Sequence, residues 1–265
     1  MRLLIRLRSL ADSKYDNTYH DALRSRIWKA LENTKYEKEH DKNRPAGFCF
    51  SNPFPPKDLH EGDKRTLLVS APQEGLLTHV ARDLLRERKL NIGEMPFRVE
   101  EVSELDPDVG EPGTRGVIET GTGVVCRIPQ RNAKSYDIEP EGTGAIYWRP
   151  KHTLRPFRSQ IQQNLDRKHR LFCQDYLPAP CETDFRLFNS YDLIKTYALP
   201  VTVTTDQELT YVVSKWRLGY TVQNDDHRRH LNLALDTGLG ERNALGFGFI
   251  NIVEAPADGG LGGNQ

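Results

Sequence analysis

Leu3, Ile5 and Leu7 alternate with Leu4, Arg6 and Arg8, the two-residue period of a strand with one face more buried than the other. After the polar turn at 12–17, Tyr19, Leu23, Ile27 and Leu31 recur every four residues, which predicts an amphipathic helix with Thr18 as its N-cap and Asp21 as the N3 partner. Gly47–Ser51 has the composition of a strand that stops at the proline cluster 53–56, and Thr66–Ser70 that of another. Leu76, Leu77, Val80, Ala81, Leu84 and Leu85 mark a second helix, and Phe97–Val102 alternates as a fourth strand. The order is β-α-β-β-α-β, the ferredoxin-like (RRM-like) unit, in which two helices cover one face of a four-stranded sheet.

The same order returns in the second half. Strands are expected around Arg115–Ile128 and Ala145–Trp148, then a basic helix over Phe157–Phe172, strands at Ile194–Thr204 and Leu209–Val222, a helix at Asp226–Leu235 and a strand at Phe247–Val253. With a hairpin added at its front, this is a second β-α-β-β-α-β unit, so the expected fold class is α+β with tandem ferredoxin-like domains. Glu100–Glu111 holds six acidic and no basic residues, and Pro107, Gly110, Pro112 and Gly113 interrupt regular structure. A domain boundary fits there, giving domains at 1–108 and 114–256, although a long acidic surface loop fits the same residues. The tail 257–265 is mostly glycine and polar and is expected to be disordered.

Lysine plus arginine and aspartate plus glutamate both number 37, so the net charge of zero argues weakly against a polyanionic partner unless the positive residues are clustered. Clustering exists: Arg149, Lys151, Arg155, Arg158, Arg167, Lys168 and Arg170 stand against the single acid Asp166. On one helix and its leader these could grip phosphates, or they could be a solvated helix face. Trp148, Tyr147 and Phe157 could stack bases or belong to the core. Cys49, Cys126, Cys173 and Cys181 form no CxxC pair, which suggests neither a zinc knuckle nor a disulfide framework. The first ten residues carry three arginines and no cleavage site, and no apolar run approaches a membrane span, so a cytoplasmic protein is expected.

Gly238, Gly240, Gly246 and Gly248 form two G-hydrophobic-G pairs around Arg242 and Asn243, between the last predicted helix and the last strand. Such glycines could open main-chain amides toward phosphate oxygens, with Arg242 adding a charge-assisted contact. A tight helix-to-strand turn is the plainer alternative. The segment lacks the Lys-Ser/Thr of a P-loop, and it enters a strand where a dinucleotide fingerprint would leave one.

In that context the G-h-G-x5-G-h-G spacing resembles the repeat-associated RNA-binding superfamily of CRISPR systems, and within it the repeat-processing endoribonuclease family, the Cas-six proteins. That family places a catalytic histidine after the first helix and before an F-x-F-S strand; here His40 precedes Phe48-Cys49-Phe50-Ser51. The resemblance implies that Tyr19, near the first helix start, hydrogen-bonds or trades a proton at the scissile phosphate. It implies His40 as general base or acid, with Lys42 or Arg44 stabilising developing charge. It implies metal-independent cleavage of CRISPR repeat RNA to 2′,3′-cyclic phosphate and 5′-hydroxyl ends without a cofactor, and other Cas subunits of an effector complex as further partners. A non-catalytic guide-RNA-binding subunit is the alternative within the superfamily, and a small-molecule enzyme or regulator is the alternative on the same fold. His227 and His230, three apart on a predicted helix, lack an evident third metal ligand and are expected on its surface; His20, beside Tyr19, is the second candidate for the catalytic histidine but is expected more as a helix-surface side chain.

Overall fold

The computed structural model describes residues 1–39, 44–139, 144–173, 186–204 and 207–257. The first half runs β1 (Arg2–Ser9), α1 (Tyr19–Ala30), β2 (Cys49–Phe50), β3 (Lys64–Ser70), α2 (Glu74–Glu87), β4 (Lys89–Ile92) and β5 (Met95–Leu105). Its antiparallel sheet has the order β2-β3-β1-β5-β4, the ferredoxin-like arrangement with one added edge strand, β4, hairpinned to β5. Leu3, Ile5 and Leu7 point into the core, where Leu23 and Ile27 of α1 and Leu77, Val80 and Leu84 of α2 meet them. Thr18 does not cap α1. Its amide and hydroxyl both bind Asp16 Oδ1, so Asp16, two residues upstream, organises the helix start.

The second half runs β6 (Arg115–Thr120), β7 (Val124–Val125), β8 (Arg127–Ile128), α3 (Gln130–Ala133), β9 (Ile146–Tyr147), α4 (Leu154–Phe172), β10 (Ser190–Thr204), β11 (Gln207–Thr221), α5 (Asp225–Thr237) and β12 (Ile250–Ala257). The sheet order β10-β11-β6-β12 repeats the first topology, with β8 and β9 forming the inserted hairpin. The last strand begins three residues later than expected, at Ile250, because Phe247–Phe249 belong to the loop before it. Phe157, Ile161 and Leu165 of α4 bury one helical stripe against Trp216 and Trp148, so Trp148 and Phe157 are core residues.

The two halves share a packed seam. Arg2 of β1 is buried and donates to the carbonyls of Leu235 and Ile250, both at 2.7 Å, and to Asn251 Oδ1 at 2.8 Å. A third apolar cluster joins Val125, Val201, Tyr211 and Val213 to Leu245 and Phe247 of the glycine segment.

Candidate nucleic-acid interface and the glycine loop

The glycine loop is folded into the seam, which corrects the expectation of an open amide cradle. Gly238, Gly240, Gly246 and Gly248 are all buried and all have positive φ, between +67° and +77°. A Cβ on Gly240 would stand 2.4 Å from the Val125 carbonyl oxygen, and one on Gly246 would stand 2.4 Å from the Phe50 ring. The glycines are therefore required by close packing and left-handed backbone. Most of the loop's amides are already bonded: Gly238 to Ala234, Leu239 to Gly248, Glu241 to Val125, Gly246 to Asn243 and Gly248 to Gly123. Asn243 is also buried, and its Nδ2 donates to the carbonyls of Leu239 and Phe247, pinning the loop from inside.

What the loop offers outward is its tip. Arg242 is exposed at φ +61°, between the half-exposed Glu241 and the buried Asn243. Its guanidinium is the cation that the loop presents outward. Beside it Arg127 Nε donates to Glu241 Oε2 at 2.6 Å, and its strand partner Tyr147 is half-exposed.

Lys168 does not face solvent either. It falls on the buried stripe of α4, and its ammonium donates to the carbonyls of Gly238 (2.7 Å) and Thr237 (3.4 Å), closing the C-terminal end of α5 where the loop begins. Burial lowers its pKa to about 7. The neighbouring Cys49 thiol, which contacts the Phe247 carbonyl, is pushed up by burial to about 12. Of the remaining basic residues, Arg149, Lys151, Arg155, Arg167 and Arg170 are exposed and Arg158 is half-buried. Arg155 lies over the Tyr136 ring and Arg158 over the Tyr191 ring, each at 5.7 Å.

His40 and Lys42 lie outside the described residues. Their flanks are held: Glu39 accepts from Arg44 Nε at 2.8 Å, and Gly47 packs against the Phe172 ring at the end of α4. From there the chain enters β2, whose Cys49 and Phe50 carry the glycine loop. Tyr19 does not stand free for proton exchange. It is buried with its ring 4.1 Å from that of His20, and burial raises its phenol well above the ordinary value, so it stays protonated.

His20 is a site residue that composition alone misplaced on the surface. It is buried between Tyr19 and Phe247, and Nδ1 donates to the Leu245 carbonyl at 2.5 Å, tying α1 to the loop. Burial lowers its pKa to about 4. His227 and His230 are likewise buried rather than superficial: His227 Nε2 donates to the Leu187 carbonyl, and His230 stacks on His169 with ring centroids 4.6 Å apart. Their positions share the inward stripe of α5 with Leu231 and Ala234, the signal that could have placed them. Among the described residues, no cluster of three or more His, Cys, Asp or Glu side chains is arranged to hold a metal ion.

Two ferredoxin-like sheets joined through a buried glycine loop with a cationic tip define a tandem ferredoxin-like protein. The model of the family "CRISPR associated protein Cas6, C-terminal" matches residues 106–252. A CRISPR-associated endoribonuclease Cas6 from Haloferax mediterranei is 53% identical over 259 residues, covering 98% of this chain and 96% of its own. The chain belongs to the Cas6 family. In fold, it resembles a solved "CRISPR associated protein Cas6" at TM-score 0.69 and 17% identity, with 96% of this chain and 99% of that one covered. A Cas6-related protein from Pyrococcus furiosus superposes at TM-score 0.68 and 20% identity, with 96% and 99% covered.

Proposed function

We propose that this chain is a metal-independent endoribonuclease that cuts CRISPR repeat transcripts. The 2′-oxygen next to the scissile phosphate attacks phosphorus and gives up its proton to a base, while the P–O5′ bond breaks and O5′ takes a proton from an acid. The products are a 2′,3′-cyclic phosphate and a 5′-hydroxyl. His40 carries one of the two proton transfers, since imidazole exchanges protons near neutral pH. Arg44 is engaged by Glu39, which leaves Lys42 to stabilise charge on the phosphorane. The RNA backbone is held by Arg242, with the exposed arginines of α4 and Arg149 and Lys151 of its leader extending the contact.

The observation that carries this reading is the connection between the two parts. The strand that follows His40 in sequence, β2, is the one on which the glycine loop rests. No helix among the described residues is long and apolar enough to cross a membrane, in keeping with work on transcripts in the cytoplasm, alone or beside other Cas subunits. The test is single-turnover cleavage of the host's repeat RNA in EDTA, with end-group analysis, for the wild type and His40→Ala. Cleavage to cyclic phosphate ends by the wild type, lost in the variant with RNA binding retained, is expected. Cleavage by His40→Ala at the wild-type rate would return the chain to the non-catalytic, guide-RNA-binding alternative.

A further inference from the structure

The face of the second sheet opposite α4 and α5 carries a charge arrangement that the fold does not explain. Lys195 of β10 and Lys215 of β11 are direct cross-strand partners in antiparallel register, beside the register shift at Leu193/Lys195. Like charges facing each other across two strands destabilise the pair, so this position is disfavoured in the free protein. Lys195 is exposed and its ammonium lies 5.2 Å from the centre of the Tyr197 ring; Lys215 is half-buried. Among the described residues neither ammonium has a carboxylate within ion-pair distance. The acids of this face lie nearer Arg217: Glu254 pairs with it, and Glu119 stands 3.9 Å from the same guanidinium while reaching Lys215 only through its longer-range field. Burial and then the nearby Lys195 lower the Lys215 pKa, and the more distant Glu119 offsets only part of that.

We propose that Lys195 and Lys215 form a phosphate clasp, in which one backbone phosphodiester of the bound RNA sits between the two ammonium groups and supplies the contact ion pair that no carboxylate of the described residues gives them. The inference rests on the chain's being an RNA-processing protein, and it adds a contact on the sheet face opposite the α4 arginines, next along the strands from Tyr197 and Val213, which pack with the glycine loop. A single phosphate oxygen pair can accept from both ammoniums, and the Tyr197 ring beneath Lys195 fixes that side chain in place.

The experiment uses the full chain, the double variant Lys195→Thr/Lys215→Thr and the charge-preserving double variant Lys195→Arg/Lys215→Arg. Binding of the host's repeat RNA, 2′-O-methylated throughout so that it is not cut, is measured across a salt series, with the melting temperature of each free protein alongside. For two lysines that neutralise single-strand phosphate, the log–log salt slope should shrink by about 1.4 in the threonine variant and stay unchanged in the arginine variant. The free threonine variant should melt no lower than the wild type, because it has lost a repulsion. Single-turnover cleavage of unmodified repeat RNA at saturating protein should be unchanged. An unaltered salt slope in the threonine variant would overturn the clasp while leaving the His40 test untouched. A cleavage defect that persists at saturation would overturn it too, by moving these lysines into the reacting centre.

Discussion

Replacing Gly248 by alanine separates two roles that a glycine loop can have. Gly248 has φ +70°, and an added Cβ would lie 1.9 Å from the Leu239 carbonyl oxygen, 2.9 Å from its carbon and 3.1 Å from Asn243 Nδ2. The Leu239 amide donates back to the Gly248 carbonyl at 2.8 Å, so neither strand of the loop can shift without breaking the link between them. Gly62 provides the control: φ is +87°, yet nothing lies within 4 Å of an added Cβ. Gly62→Ala therefore incurs left-handed strain alone, net about 1 kcal/mol once the stiffer unfolded chain is allowed for. Gly248→Ala adds displacement of a buried backbone carbonyl and loss of its hydrogen bonds, for a total of about 4 kcal/mol or more. At about 2–4 °C per kcal/mol for a chain of this size, thermal melts should fall by a few degrees for Gly62→Ala and by about 10 °C or more for Gly248→Ala. RNA affinity should fall together with folding in the second variant. A Gly248→Ala protein that melted like Gly62→Ala but no longer bound RNA would refute the packing role and restore a direct contact between these glycines and phosphate.

His20 is held neutral in the folded protein, with a pKa near 4 against 6.5 for the free side chain. The unfolded chain takes up the proton first, so stability drains away as pH falls from 6.5 toward 4, by about 2 kcal/mol at pH 5. Denaturant melts of His20→Phe should lose most of that slope, together with about 1 kcal/mol at pH 7 for the hydrogen bond to Leu245; an unchanged pH profile would show that other groups dominate. Lys168 titrates in the opposite range. Its folded pKa of about 7 against 10.5 means that the unfolded state alone stays protonated between them, so stability from this group rises by about 2 kcal/mol from pH 7 to 9. Lys168→Met should be less stable, because the Thr237 and Gly238 carbonyls lose their donor, and its deficit should widen over that pH range. A constant gap would mean that the ammonium is not desolvated in solution.

The fold was largely legible because both sheets bury one face, and burial writes a two-residue period into β1 and a helical stripe into α2, α4 and α5. β4 escaped notice because Lys89–Ile92 is too short to establish a period beside α2. The glycine loop misled for a sharper reason. Glycine permits both an exposed amide cradle and a backbone packed against other backbone, and composition does not separate them. The apolar residues inside the loop do: Leu239, Leu245 and Phe247 are all buried, and hydrophobic residues between the glycines announce a segment turned inward. Lys168 was grouped with its basic neighbours by charge, while its helical position placed it with Phe157, Ile161 and Leu165. Periodicity outranks residue type at such positions, because a lysine can keep its hydrogen bonds by meeting the carbonyls at a helix end. For His40, which lies outside the described residues, the expectation rests on the pattern of its sequence neighbours alone.

Arg2 gives the seam a temporal meaning. Its guanidinium finds its acceptors at Leu235 and Ile250, 233 and 248 residues downstream. At roughly 5–20 residues per second, translation reaches those partners on the order of ten to fifty seconds after β1 has left the ribosome. Through that interval the first sheet holds a charged side chain still waiting for its acceptors. The amino-terminal half is thus a nascent intermediate whose completion depends on the closing strand of the chain, and a ribosome stalled before that strand would display a half-built protein for quality control to remove.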